Sequence, residues 1–231
     1  SFGLPPRAPS QGAGDVRVHG LLPALPLAPS SRMLLFTITA LVLLGIERFL
    51  YGWIYQFPNS FKKACNGPLK PLLDWDEGKY WLVAKHLGVV IKVFQFGVIG
   101  YDLFSRGVGL AMAPCLLLGA FLAGLGQILN AATFNSIGAI GVYYGGQLGE
   151  HIPWCTGFPY NLGLGDPQYW GVVLCVWGMY IILAGTGGGI LRHFVVPILE
   201  TFWYVMSMKL LEDSKNGPVA LAHFGLKPDA A

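Results

Sequence analysis

Apolar residues in this chain come in long runs and not at alternate positions. The runs cover residues 33–56, 80–104, 107–134, 169–191 and 194–211. A helix rises about 1.5 Å per residue, so roughly 20 apolar residues cross the ~30 Å hydrocarbon core of a bilayer. The pattern predicts an all-α chain folded as a polytopic transmembrane helical bundle of about four to five spans. A β-barrel would show ~10-residue segments of alternating polarity, and such alternation is weak here. Between the runs lie a loop at 57–79, a glycine-rich stretch from Gly138 to Gly149, and a connector at 150–168 that has no Lys or Arg.

The two ends read differently. Residues 1–31 are rich in Pro, Ala, Gly and Ser without a helical period. They form an N-terminal extension to a membrane domain at 32–213, and a polar tail follows at 214–231. An extension of this composition buries too little apolar surface to offset its own ordering entropy. It is expected to order against another subunit of a larger membrane assembly. Ser1 stands first where a methionine would begin a new chain; removal of an organellar presequence would produce this, and so would several other processes.

Composition narrows the class. The 231 residues are 54% hydrophobic and only 12% charged, against about 25% charged in soluble domains. That leaves too few charges for a water-facing surface. A net charge of +3 is too small to make nucleic acid a partner. Cys65, Cys115, Cys155 and Cys175 show no CxxC or Cys/His spacing. They read as isolated thiols, with no disulfide scaffold and no metal site.

Charged residues within the runs are costly in lipid and are expected to face a partner or the interface. Glu47 and Arg48 sit near the end of the first run, open to snorkelling, pairing, or facing a polar cavity. Lys85 and Lys92, seven apart in the second, share one helical face, which is expected to turn inward or toward the interface. Lys62 and Lys63 read as solvated flanking charges. The lysines of the first loop and of the C-terminal portion share one side under five spans. That side is expected to be cytosolic or matrix-facing, although three arginines before the first run pull the other way.

Four phrases stand out: Gly124-Leu125-Gly126, Phe158-Pro159-Tyr160-Asn161, Asp166-Pro167-Gln168-Tyr169-Trp170-Gly171 and Glu212-Asp213. Each has an ordinary reading. Gly-x-Gly in an apolar helix commonly serves helix packing. Asp-Pro before a run is a helix cap with Pro in the first turn, here beside an interfacial Tyr/Trp belt. Paired acids at a helix exit are usually solvated, although they oppose the helix dipole.

Taken in order, the phrases resemble the phosphatidylethanolamine N-methyltransferase family. Gly124 to Gly145 is similar to that family's Gly-x-Gly followed by a small-residue stretch ending in aromatic-Gly. Phe158-Pro-Tyr-Asn through Tyr169-Trp-Gly171 resembles its Phe-Pro-Phe-Asn and Pro-x-Tyr-Trp-Gly. Tyr204 to Asp213 resembles its last helix, which ends in two glutamates. Asp213 stands where the family has the second glutamate, and Ser214-Lys215-Asn216-Gly217 follows in place of Pro and an aromatic.

The resemblance implies methyl transfer from S-adenosylmethionine to the amino head group of phosphatidylethanolamine or its mono- and dimethyl forms, in a membrane-embedded pocket. It assigns Gly124, Leu125, Gly126, Glu212 and Asp213 to the methyl donor. It assigns Tyr160, Asn161, Pro167, Tyr169, Trp170 and Gly171 to the acceptor side, with aromatic faces for cationic groups. No residue is singled out for catalysis, and His86 and His151 read as structural. Membrane phospholipids are the implied partners. The membrane is the endoplasmic reticulum's or an organelle's, with the mitochondrial inner membrane favoured. A second reading is a methyltransferase-like accessory subunit of a respiratory or photosynthetic complex. A third, from the Pro-x-Tyr-x-Gly phrase, is a relative acting on a prenyl-type acceptor.

Overall fold

A computed structural model describes residues 29–72, 78–105, 107, 109–152, 155–183 and 193–212, without the side chains of 29, 30 and 72. Most of the N-terminal extension, Asp213 and the polar tail lie outside the described residues. So does the expectation that residues 1–31 rest on another subunit.

Among the described residues the chain is helical, with no strand. Helix α1 spans Pro29–Gln56, α2 Pro58–Asn66, α3 Tyr80–Ser105, α4 Ala113–Val142, α5 Pro167–Ile182 and α6 Val195–Met206, with a π turn at Ser207–Leu211. Three of them, α1, α3 and α4, are long and apolar enough to cross a membrane. The five long runs correspond to α1, α3, α4, α5 and α6.

The boundaries differ where local chemistry intervenes. The loop at 57–79 contains α2, a short helix that buries Phe61 and Cys65, four residues apart, and holds Lys62 and Lys63 off that face. The third run becomes helical only at Ala113, where Pro114 in the first turn suits the fixed φ of proline. It then continues into the glycine-rich stretch as far as Val142, broken at Gly138 with φ 67°, a left-handed conformation open to glycine. Helix α5 begins two residues early because Asp166 caps it: its Oδ1 accepts from the backbone N–H of Gln168 at 2.9 Å and of Tyr169 at 3.1 Å.

The main core lies between α1, α3, α5 and α6, around Leu44, Ile99, Tyr180 and Trp203. Helix α4 packs chiefly on α5 and turns Leu117, Phe121 and Ile128 outward, as a lipid-facing helix does. The α4–α5 contact is antiparallel and runs through glycines. A Cβ on Gly119 would sit 2.6 Å from the Gly178 carbonyl oxygen, and one on Gly171 would sit 2.8 Å from that of Gly126. Both helices repeat the glycine after seven residues. Small residues allow such approach where lipid offers no hydrophobic drive between helices.

The neighbouring glycines therefore differ sharply in tolerance. Gly126→Leu or Gly178→Leu should lower stability by about 1–3 kcal/mol or more through overpacking. Gly124→Ala, with nothing within 4 Å, should be neutral or gain up to about 1 kcal/mol of helix propensity. Thermal unfolding in detergent, followed by circular dichroism, checks both.

Candidate functional site

The site begins with a buried ion cluster between four helices. Glu47 and Arg48 of α1 are each about 1% exposed, so neither reaches water. Arg48 Nη2 pairs with Glu47 Oε2 at 2.8 Å, and Lys92 of α3 meets the same oxygen at 2.6 Å. Lys92 also donates to Gln95 Oε1 at 2.9 Å and to the Tyr204 hydroxyl at 3.0 Å. The Arg48 guanidinium lies 4.9, 4.4 and 4.3 Å from the ring centroids of Tyr51, Tyr169 and Tyr204. Three π faces and a carboxylate thus offset a charge that burial alone would make prohibitive, while Arg48 Nε and Nη1 have no hydrogen-bond partner among the described residues. Of the alternatives for Glu47 and Arg48, internal pairing is realised, and both also line a small cavity of about 70 Å³ beside Lys92 and Tyr143.

Tyr169 links this cluster to a second carboxylate. Its ring rests against Arg48, and its hydroxyl donates to both oxygens of Glu212 at 2.8 Å. Tyr144 and Ser207 also donate to Glu212, and the two tyrosine hydroxyls are 2.6 Å apart. Two local devices aim these groups. Tyr144 follows α4 with φ 60°, a left-handed conformation that non-glycine residues hold only when their surroundings impose it. The π turn brings the Glu212 N–H to the Ser207 carbonyl at 2.9 Å, and Gln56 Nε2 donates to the Leu211 carbonyl at 2.7 Å. This pins the end of α6 to the end of α1.

Glu212 lines a cavity of about 600 Å³ at this end of the bundle, open on one side. Its walls include Tyr55, Thr133 and Ile137, and the loop from Tyr160 through Gly163, Gly165 and Asp166 to Trp170. The volume lies within the range of small-molecule sites. Asp166 is the second acid. Its Oδ1 is used by the helix cap, whereas its Oδ2 has no hydrogen-bond partner among the described residues. Burial, reinforced by the negative charge of Glu212, pushes its carboxyl up to about 6. Burial also pushes the Tyr160 phenol up to about 12, and it raises Tyr144, with Glu212 adding to the effect. Both tyrosines therefore remain hydroxyl donors at neutral pH.

Of the residues singled out by sequence, Tyr160, Tyr169, Trp170 and Glu212 meet at this cavity. Asn161 is exposed on the adjoining 3-10 turn, and Pro167 is buried at the start of α5. Gly124 and Leu125 are exposed on α4, while Gly126 is buried against Gly171 and Cys175. None of these lines the cavity. Asp213 lies outside the described residues. His86 and His151 are exposed and away from it. Lys92 turns into the bundle as the shared face implied, and Lys85 is only partly covered. Sequence reasoning passed over Tyr144, Ser207 and the separate role open to Asp166. The one available signal for Tyr144 was the aromatic pair Tyr143-Tyr144 closing the glycine stretch.

An acidic, aromatic-walled cavity of this size at one end of an apolar helical bundle is a candidate small-molecule site. The sequence model of the phospholipid methyltransferase family matches residues 114–214, which hold most of that cavity, so this stretch of the chain is similar to that family. A curated relative, phosphatidyl-N-methylethanolamine N-methyltransferase of Arabidopsis thaliana, is 42% identical over 124 residues. The match covers 54% of this chain and 66% of the relative. No solved structure matches the chain.

Loss of Glu47 would leave Arg48 buried without its carboxylate. Glu47→Ala should cost about 3–5 kcal/mol, as for one partner removed from a buried pair. Denaturant unfolding in detergent micelles, monitored by tryptophan emission, measures it.

Proposed function

We propose that this protein is an integral-membrane phospholipid N-methyltransferase that uses S-adenosylmethionine to methylate the amino head group of phosphatidylethanolamine or its mono- or dimethyl forms. The observation that supports this most directly is the Glu212–Tyr144–Tyr169 cluster facing a cavity in a stretch similar to this family. The name of the plant relative supports a phospholipid amine as acceptor. The site suits a cationic methyl donor: a carboxylate fixed by three hydroxyls, and the rings of Tyr55, Tyr160 and Trp170. S-adenosylmethionine supplies a methyl group made electrophilic by its positively charged sulfur.

The residues divide the work. Glu212, its oxygens occupied by Tyr144, Tyr169 and Ser207, holds positive charge in place. Asp166 has an uncommitted oxygen and acts as the base, since an ammonium head group must lose a proton before its nitrogen can attack. Asp166 Oδ2 takes that proton, leaving the amine its lone pair, and releases it through the open side of the cavity. Two carboxylates in unlike surroundings thus take unlike roles. Glu212, Arg48, Tyr160 and Tyr169 are the charged and titratable groups around Asp166. In this scheme the Gly126 contact serves at a distance: it sets α4 on α5 so that Thr133 and Ile137 reach the cavity.

Calorimetry on detergent-purified protein should show S-adenosylmethionine binding that weakens at least about tenfold in Glu212→Gln, the size of a lost charge-assisted contact. Absence of binding to the wild type would overturn the assignment. Asp166→Asn should keep the helix cap and the donor affinity, yet slow methyl transfer by about 10²–10⁴-fold. Only the ionised carboxylate accepts a proton. The wild-type rate should therefore fall as pH drops through about 6, and the variant's residual rate should lack that limb.

A further inference from the structure

A second cavity, of about 560 Å³, runs along the outer face of the bundle between α5 and α6. Trp177, Ile198, Thr201 and Phe202 wall it, and their character is almost wholly apolar. Its polar atoms are spoken for. The Trp177 indole N–H donates to Thr201 Oγ1 at 2.8 Å, and that hydroxyl donates to the Pro197 carbonyl at 2.7 Å. Ile198 and Phe202 are exposed. Away from Lys209 at its inner end, the groove offers no free hydrogen bond, which suits a hydrocarbon chain.

This groove meets the polar cavity. Val205 and Lys209 line both. Among the described residues Lys209 is the one cationic side chain on the polar cavity, and it is exposed without a hydrogen-bond or ion-pair partner. From outside inward the surface is therefore apolar, then cationic at Lys209, then anionic at Glu212 and Asp166. A phospholipid with an amino head group carries the complementary order: acyl chain, phosphate anion, ammonium cation.

On these observations, and resting on the reading of the polar cavity as the methyl-transfer site, we propose that the acceptor phospholipid enters laterally from the bilayer. One acyl chain lies in the α5–α6 groove, the phosphate rests on Lys209, and the amine reaches Asp166 and Glu212. The lipid then need not leave the membrane, and a free phosphoethanolamine lacks the part the groove holds. Lys209 becomes the residue that selects a phosphate-bearing lipid over a neutral one.

The test is photolabelling of the whole protein in phosphatidylcholine nanodiscs, using phosphatidyl-N-methylethanolamine with a diazirine midway along one acyl chain. A diacylglycerol with the same labelled chain is the comparison. Labelling needs no turnover and no methyl donor, so its outcome is separate from that of the calorimetry above. The lipid should label Trp177, Ile198 and Phe202 about tenfold more than the diacylglycerol does, the factor for one charge-assisted contact. Lys209→Glu should remove that preference, and Ile198→Trp should lower groove labelling by blocking it. Both positions are exposed, so the fold should tolerate them, and an unchanged far-UV circular dichroism spectrum confirms that. Equal labelling by the two probes, or labelling spread as heavily over Leu117 and Phe121 of α4, overturns the proposal. So does a preference that survives Lys209→Glu.

Discussion

The burial of Arg48 is the constraint on which the rest of this bundle turns. A guanidinium cannot shed its proton to escape a low-dielectric interior, so the fold must supply its counter-charge and its contacts. Glu47 supplies the first and recruits Lys92 from α3. Tyr51, Tyr169 and Tyr204 supply the second from α1, α5 and α6. One side chain thereby fixes how the four core helices meet. Gln95 of α3, which accepts from Lys92 and donates to the Leu44 carbonyl at 2.9 Å, ties the cluster back to the α1 backbone.

The site inherits its geometry from that cluster. Tyr169 has one face against Arg48 and its hydroxyl on Glu212, so the position of Glu212 is linked to an ion pair deep in the bundle. Tyr144 and Ser207 close the arrangement from α4 and from the π turn. Both stand on irregular backbone, the one left-handed and the other widened by a residue. Such departures from regular helix are often found where side chains must be aimed. Asp166, one helix cap away, keeps an oxygen free because its other oxygen already satisfies the first N–H groups of α5.

Much of this was legible along the chain. The spacing of apolar runs marks the helices. Asp166-Pro167 marks the start of α5 through cap chemistry, and the order of motifs brings Tyr160, Tyr169, Trp170 and Glu212 under suspicion together. The glycines were legible only as small residues. Gly124 and Gly126 look alike in sequence, yet one faces open space and the other the backbone of α5, because two residues along a helix turn the side-chain direction by about 200°. Lys209 carried no signal, since a lysine near a helix end is ordinarily a flanking charge.

The sequence by itself determined the class of this protein. Charge-poor runs of membrane length admit few folds, since every backbone polar group in lipid must be satisfied within a helix or a closed barrel. It also determined which residues are chemically unusual for such a setting. Only the tertiary structure decided how they combine. Glu212 meets Tyr144 across 68 positions and Tyr169 across 43, and Lys92 meets Tyr204 across 112. No local period encodes such meetings. They follow from the packing of α4 on α5 and the gathering of α1, α3 and α6 around a charge that cannot remain unpaired.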